Sequence, residues 1–383
     1  SDNWGFTGAF LLKRMIYLSP VPWDSFSQRP HKFVEWFHAI SGGQVLWVDP
    51  YPTRLPGLGD FATRPAPSSR LSRSETWLKC LTVKALPIEP ISSLNFVNRY
   101  LRRALVEDIN AFASAGPTSL VIGKPSALAL QLLSGGNFAK SIYDSMDDFP
   151  AFYSGLSKRS MERKERAVVS VVDHVLVSST LLMHRAQQMK PGADVRLCEN
   201  ACSVDLLPPV GQQVHHSGAR ILGYVGTIGK WFDWDMIGRL AGCSDVTVRL
   251  IGPVYTPAPF KLPPNVEILP QCSHAQAIAA MQTFDVGLIP FKITELTESV
   301  DPIKYYEYCA LGLPVITSDF GEMRLHARQP SVFTVHQADD PSSLISTVEA
   351  ALAFRFTLAE IEIFRQKNSW SARFSSAKIF TAA

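Results

Sequence analysis

Cysteine is scarce and scattered in this chain: six in 383 residues, none in a CxxC pair and none at zinc-finger spacing. A disulfide framework or a structural zinc is therefore not what holds the fold, and free thiols in a reducing cytoplasm are expected. Long apolar runs are missing too. No stretch of about 18 apolar residues occurs, so no transmembrane helix is expected. The opening SDNWGFTGAFLLKRM does not read as a signal peptide, because its charges follow the apolar part. Charge is sparse, 19% of residues with a net of +3, and no DNA- or RNA-binding motif accompanies it, so nucleic acid is not an expected partner. What is present is a hydrophobic content of 46%, which suits well-packed globular domains. At 383 residues the chain exceeds one ordinary core, and two domains are the default.

The charge is unevenly spread. Residues 1–143 carry 15 Lys/Arg against 9 Asp/Glu, whereas residues 207–383 carry 14 against 16. The excess gathers at Arg54, Arg64, Arg70, Arg73, Lys79, Lys84, Arg99, Arg102 and Arg103, with Trp77, Phe96 and Tyr100 among them. Such a surface suits anionic lipid headgroups or a lipid diphosphate; solvated helix faces are the alternative.

Strand and helix patterns alternate along the first half. Strands are expected at Met15–Ser19, Gln44–Asp49, Ser119–Ile122, Lys140–Tyr143, His174–Ser178 and Asp194–Cys198, and helices at Arg29–Ile40, 76–84 and 92–114. Residues 50–75, rich in Pro, Ser and Arg, read as irregular. The stretch Leu206 to Gly218, LLPPVGQQVHHSG, has no period, and within it 207–218 reads as a linker after a domain 1–206. A second series follows at 219–360, with strands at Ile221–Val225, Val246–Ile251, Val266–Leu269, Val286–Ile289, Pro314–Thr317 and Ser331–Val335. Strands alternating with helices predict α/β domains with parallel sheets wound on both faces.

The densest motif is SVDPIKYYEYCALGLPVIT, Ser299 to Thr317. Asp301 can cap a helix and Pro302 suits its first turn; Lys304 and Glu307 lie one turn apart; Gly312 and Pro314 end the helix before a buried strand. A helix start of this kind can hold a diphosphate on backbone N–H groups, with Lys304 beside it. Glu307 can accept two vicinal ribose hydroxyls. The spacing resembles the donor-binding helix of GT-B glycosyltransferases, P-x-K-x-x-E-x-x-A-x-G-x-P-V, at every fixed position. The resemblance implies two Rossmann-like domains facing a cleft, with residues 361–383 as a helix returning to the first domain. It also implies a nucleotide-sugar donor and no cofactor, with lysines and a helix start doing without a metal.

Three further segments fit that frame. Glycines in Gly223-Tyr-Val-Gly226-Thr-Ile-Gly229-Lys230 let backbone approach phosphates, and Lys230 could reach a phosphate or the nucleoside; a tight turn with an exposed lysine is the alternative. Around Gln271, a strand ends and Ser273 can cap the next helix. This resembles the uracil-contacting turn of GT-B enzymes and the xanthan glucuronosyltransferase type, which has an acid where Gln271 stands. Many retaining members carry a glutamate where Ser299 stands, eight positions before Glu307, while Glu298 is adjacent.

In the first domain, Asp144, Asp147 and Asp148 follow a short apolar strand, at the sheet edge where doubly wound folds bind ligands. One carboxylate there could take a proton from an acceptor hydroxyl. Tyr-x-x-x-Asp resembles the base-bearing segment of the xanthan type and points to Asp147 as catalytic base; helix capping by Asp147 or Asp148, or metal binding as in GT-A enzymes, are the alternatives. The Trp23 and Gln28-Arg29 loop resembles teichuronic-acid type polysaccharide glycosyltransferases. There Arg29, like Asp144 and Asp148, is expected on the acceptor or phosphate side, or else Gln28 and Arg29 only brace the first helix. The resemblance implies transfer from a nucleotide-diphosphate sugar, UDP favoured, to a lipid-linked or glycan acceptor at an anionic membrane; Asp147 at the sheet edge and the serine at 299 point to inversion. Rival expectations are a nucleotide-sugar 2-epimerase, whose acid and histidine set is not found, and a non-catalytic nucleotide-binding subunit.

Overall fold

Short runs of Val, Ile and Leu, bounded by Gly, Pro and Asp, build two all-parallel sheets. The structure, a computed structural model, describes residues 12–56, 75–212 and 220–380. Of the expected irregular stretch at 50–75, residues 57–74, with Arg64, Arg70 and Arg73, lie outside the described residues, as do 213–218 of the expected linker. The chain divides into two units, one running to Cys198 and resuming at Phe374, the other spanning Glu199–Arg373.

The first unit holds β1 (Arg14–Leu18), β2 (Gln44–Val48), β3 (Leu78–Leu81), β4 (Thr118–Ile122), β5 (Lys140–Ser145), β6 (His174–Val177) and β7 (Val195–Leu197). Their order across the sheet is β3-β2-β1-β4-β5-β6-β7. The crossovers are α1 (Arg29–Ser41), α2 (Asn95–Leu101), α3 (Arg103–Ser114), α4 (Ala127–Gly135), α5 (Gly155–Val171) and α6 (Thr180–Met189). Side chains alternate across β1. Ile16 and Leu18 join one core with Leu46, Leu120 and Val175, while Tyr17 stacks on Trp47 at 5.5 Å on the other face. Ser126 and Ser179 cap α4 and α6 through their hydroxyls.

The second unit holds β8 (Ile221–Val225), β9 (Thr247–Ile251), β10 (Val266–Leu269), β11 (Val286–Ile289), β12 (Val315–Ser318) and β13 (Val332–Val335), ordered β10-β9-β8-β11-β12-β13. Its helices are α7 (Trp234–Ala241), α8 (His274–Met281), α9 (Ile303–Ala310), α10 (Met323–His326), α11 (Pro341–Ala353) and α12 (Leu358–Lys367). Two cores cover the sheet. One gathers Val225, Ile289, Tyr305 and Val315, the other Leu222, Val248, Leu288 and Val348. In each sheet the strand order reverses beside the first strand of the series, so the carboxyl ends of β1 and β4, and of β8 and β11, frame the crevices where such folds bind ligands.

Several expectations change. Residues 76–84 are not helical: Leu78–Leu81 pairs in parallel with β2 as an edge strand. Its apolar residues, Trp77, Leu78 and Leu81, fit one helix face equally well, and only the open edge of β2 decides. The pattern at 92–114 is broken at Arg102 into α2 and α3 after a short 3₁₀ turn. The second unit starts ahead of the expected linker because Asn200 N–H donates to Asp301 at 2.8 Å and Arg373 reaches Glu199 at 2.6 Å. The return to the first unit begins at Phe374, inside α13 (Trp370–Ser376), rather than at 361. The reason is that α12 packs on α9, whereas Phe374 meets Phe33 edge-on at 5.0 Å and Arg196 donates to the Ala377 carbonyl at 2.9 Å.

Candidate functional site

In the second unit the candidate site is built on α9. Pro302 occupies the cap position in extended backbone and no side chain caps the helix; of the first-turn N–H groups, that of Tyr305 donates to the Pro302 carbonyl at 3.1 Å. The expectation that Asp301 caps α9 is corrected. Its buried carboxylate turns back into the protein, accepting from Asn200 N–H at 2.8 Å, Tyr306 hydroxyl at 2.8 Å and His326 Nε2 at 2.9 Å. The Asn200 amide also donates to the Asp301 carbonyl at 2.7 Å. Four hydrogen bonds thus fix the chain at the point where it enters α9.

The rest of α9 is anchored from behind. The Tyr308 hydroxyl donates to the Leu288 carbonyl at 3.1 Å, and a Cβ on Gly287 would lie 2.4 Å from the Tyr308 ring. Glycine in β11 therefore lets the helix sit directly on the sheet. Lys304 and Glu307 pair as an i,i+3 ion pair on the remaining face, with Glu307 buried and Lys304 partly open.

The turn after β8 carries Gly226 and Gly229, followed by exposed Lys230. A Cβ on Gly252 would come within 2.0 Å of the Gly226 carbonyl, so two glycine backbones touch where side chains would force them apart. Gln271 is exposed after β10, and Ser273 caps α8 in a box with Gln276. Ser299 is buried and donates to the Leu296 carbonyl at 3.1 Å; Glu298 is gripped by Arg324 at 2.5 and 2.9 Å.

In the first unit the acidic cluster separates into three environments. Asp144 is fully buried and accepts from Arg29, closest at 2.8 Å, and from the Tyr17 hydroxyl at 3.0 Å. Arg29 also donates to the Cys198 carbonyl at 2.7 Å. Asp148 is buried and paired with Arg185. Arg29, Asp144 and Asp148, expected on the acceptor or phosphate side, are thus turned inward, because each charge is neutralised by a partner from a distant element. Trp23 is likewise part of the packing, edge-on to Trp47 at 5.0 Å, while its carbonyl accepts from His31 at 3.0 Å.

Asp147 differs. It follows β5 at the sheet edge, is only partly buried, and bonds to no other described side chain. Burial pushes its carboxyl from 3.8 up to about 7; Arg29 opposes, and Asp148 and Asp144 add to the rise. Such a group can exchange a proton near neutral pH. Burial also raises Glu165 to about 7, against the hydrogen bond it accepts from Tyr143 at 2.8 Å.

Sequence reasoning missed the partners of these groups: Tyr17 for Asp144, Arg185 for Asp148, and Tyr306, His326 and Asn200 for Asp301. Apart from Tyr306, five positions from Asp301, these partners are 25 or more positions away, and no local spacing links them. Among the described residues no three His, Cys, Asp or Glu side chains gather as a metal site.

No family model matches the chain. It is 25% identical over 232 residues to TuaH of Bacillus subtilis, whose name assigns it a proposed glycosyltransferase role in teichuronic acid biosynthesis. That match covers 55% of this chain and 58% of TuaH, so the chain spans under two thirds of the relative it matches. Among solved structures, a sucrose-phosphate synthase from Thermosynechococcus elongatus superposes with a TM-score of 0.67 at 16% identity, covering 96% of this chain and 98% of that one. A lipopolysaccharide outer core galactosyltransferase, WaaB, gives 0.60 at 13%, covering 95% and 98%. An E. coli trehalose-6-phosphate structure bound with UDP-2-fluoro glucose gives 0.60 at 9%, again covering 95% and 98%. Two parallel doubly wound sheets and these superpositions give the chain the GT-B glycosyltransferase fold, and its sequence is similar to a glycosyltransferase of the teichuronic-acid type.

Proposed function

We propose that this protein is a GT-B glycosyltransferase that moves a sugar from a nucleotide-diphosphate sugar to a lipid-linked glycan in bacterial envelope or exopolysaccharide synthesis. The observation that carries the reading is α9, whose start has no side-chain cap and carries Lys304 in its first turn, paired with Glu307 one turn on. Backbone amides and Lys304 hold the diphosphate and stabilise it as it leaves, without a divalent metal. Glu307 accepts the ribose hydroxyls, the Gly226–Gly229 turn with Lys230 borders the phosphates, and Gln271 lies where a base would pair with strand-end backbone. UDP is favoured, since a structure of the same fold binds UDP-2-fluoro glucose.

Asp147 is the base. It takes the acceptor hydroxyl proton as the acceptor oxygen bonds to the anomeric carbon and the bond to the diphosphate breaks, which inverts that centre. Its raised pKa and unpaired state support this role, as does a serine at 299 in place of the glutamate of retaining members. The protein works on the cytoplasmic face of an anionic membrane; no helix among the described residues is long and apolar enough to cross one. Thermal melting with UDP-, GDP- and ADP-sugars tests the reading, because a bound ligand raises stability by mass action. A rise with one nucleotide sugar is expected, and no rise with any of them would sink it.

A further inference from the structure

The basic, aromatic surface expected from the sequence is not continuous in the structure. Arg102 is buried, and Trp77 is stacked on His38 at 4.4 Å. What remains is a stripe on α2 and α3. Phe96, Arg99, Tyr100 and Arg103 stand at i, i+3, i+4 and i+7, and they line one open groove of about 450 Å³ with Val106, Glu107 and Gln131. Phe96 is 68% exposed and Tyr100 77%. Ile91, Leu94 and Leu101 nearby are exposed as well.

The opposite face of the same segment is fixed. Buried Asn98 bonds both the N–H and the carbonyl of Leu86, at 2.7 and 2.9 Å, and Leu105 and Ile109 enter the core. The stripe is therefore held outward by a rigid base. Arg103 shares itself with Glu107 at 3.1 Å, while no ion pair among the described residues engages Arg99.

We propose that this stripe is where the protein lies on an anionic phospholipid surface, a placement that makes the membrane part of the reading above specific to α2–α3. Aromatic rings alternating with arginines fit the headgroup layer. The rings enter at the level of the glycerol backbone, and the guanidinium groups meet lipid phosphates above them. Charge alone would be met equally by any basic patch; the rings add an apolar anchor that salt does not screen.

The test is co-sedimentation of the full chain with vesicles of phosphatidylcholine and of phosphatidylcholine mixed with phosphatidylglycerol. Wild type is expected to pellet with the anionic vesicles only. F96S/Y100S should weaken this about tenfold through lost apolar burial, and R99S/R103S by a similar factor or more. Both variants change exposed side chains, and an unaltered thermal melt verifies their fold. Wild-type binding in both variants, or equal binding to neutral vesicles, would overturn the proposal. So would a lipid-free dimer of the wild type that F96S/Y100S dissociates. Nucleotide-induced thermal shifts measured on the same samples report the glycosyltransferase reading independently, so either idea can fail alone.

Discussion

Asp301 and Tyr306 are five residues apart, yet they meet inside the protein, the Tyr306 hydroxyl donating to the Asp301 carboxylate at 2.8 Å. That bond, with those from Asn200 and His326, sets the entry angle of α9. Asp301→Ala would leave several buried donors unanswered, and a loss of about 3 kcal/mol is expected in urea unfolding. Tyr306→Phe removes one donor only and should cost about 1 kcal/mol. Equal stability of Asp301→Ala and wild type would show that α9 is held by its apolar face alone.

The Arg29–Asp144 pair makes a contrasting case, because its charges were expected to serve substrate. Both side chains are buried and bonded to each other and to Tyr17. Asp144→Ala leaves an unpaired buried guanidinium, and a destabilisation of about 3–5 kcal/mol is expected. Nucleotide affinity, measured by calorimetry on protein that remains folded, should be unchanged. A variant of normal stability that has lost activity would return Asp144 to the substrate side.

Glu307→Ala should weaken nucleotide binding by about 1–3 kcal/mol, the usual cost of losing a charged hydrogen-bond partner. The same change frees Lys304, whose ion pair with Glu307 it removes. Glu307→Gln, which keeps the shape and one acceptor, should lose less. Unchanged affinity in both variants would remove the donor site from α9.

What could be read from the sequence follows how local each signal is. The one-turn spacing of Lys304 and Glu307 on a helix, the Ser273 cap and most strands depend on neighbours within a turn or on a run of β-branched residues, and they stand in the structure as expected. β3 was misread because a four-residue edge strand has too short a period to distinguish from a helix turn. Arg29 and Asp144 are 115 positions apart, and Asp301 and His326 are 25 apart, so only the crossovers bring them together. A polar residue at the end of a strand therefore looks the same in sequence whether it faces a ligand or a buried partner. Asp144 and Asp147 sit three positions apart, yet the first is buried against Arg29 and the second is only partly buried.

Turnover is expected to persist in EDTA, since a helix start and lysines, rather than an ion, are assigned to the leaving diphosphate. Activity abolished by the chelator and restored by manganese would contradict that assignment and direct attention to Asp147, the one acid of its cluster with no ion-pair partner.

Asp147 itself gives a prediction in both rate and stability. Its carboxyl is held at about 7 against an ordinary 3.8. Below about pH 4 both folded and unfolded chains are protonated there, and the residue costs folding nothing. As pH rises towards 7 the unfolded chain ionises while the folded one must stay protonated or charge an unfavourable site, so stability is lost over that window and the loss is constant above it. Asp147→Asn should therefore be more stable than wild type at pH 8, by about 2–4 kcal/mol before allowance for partial solvent screening. The difference should vanish near pH 4. Glu165, also raised to about 7, is present in both proteins and cancels from the comparison. Turnover of the wild type should climb through pH 7 as the base is freed, and Asp147→Asn should cut it about 100-fold or more with donor affinity retained. Product NMR should find the anomeric centre inverted. A product with the donor's own configuration, or an Asp147→Asn enzyme with near-normal turnover, would take the base away from Asp147. A stability gain without a rate loss would leave the residue as a strained surface acid and nothing more.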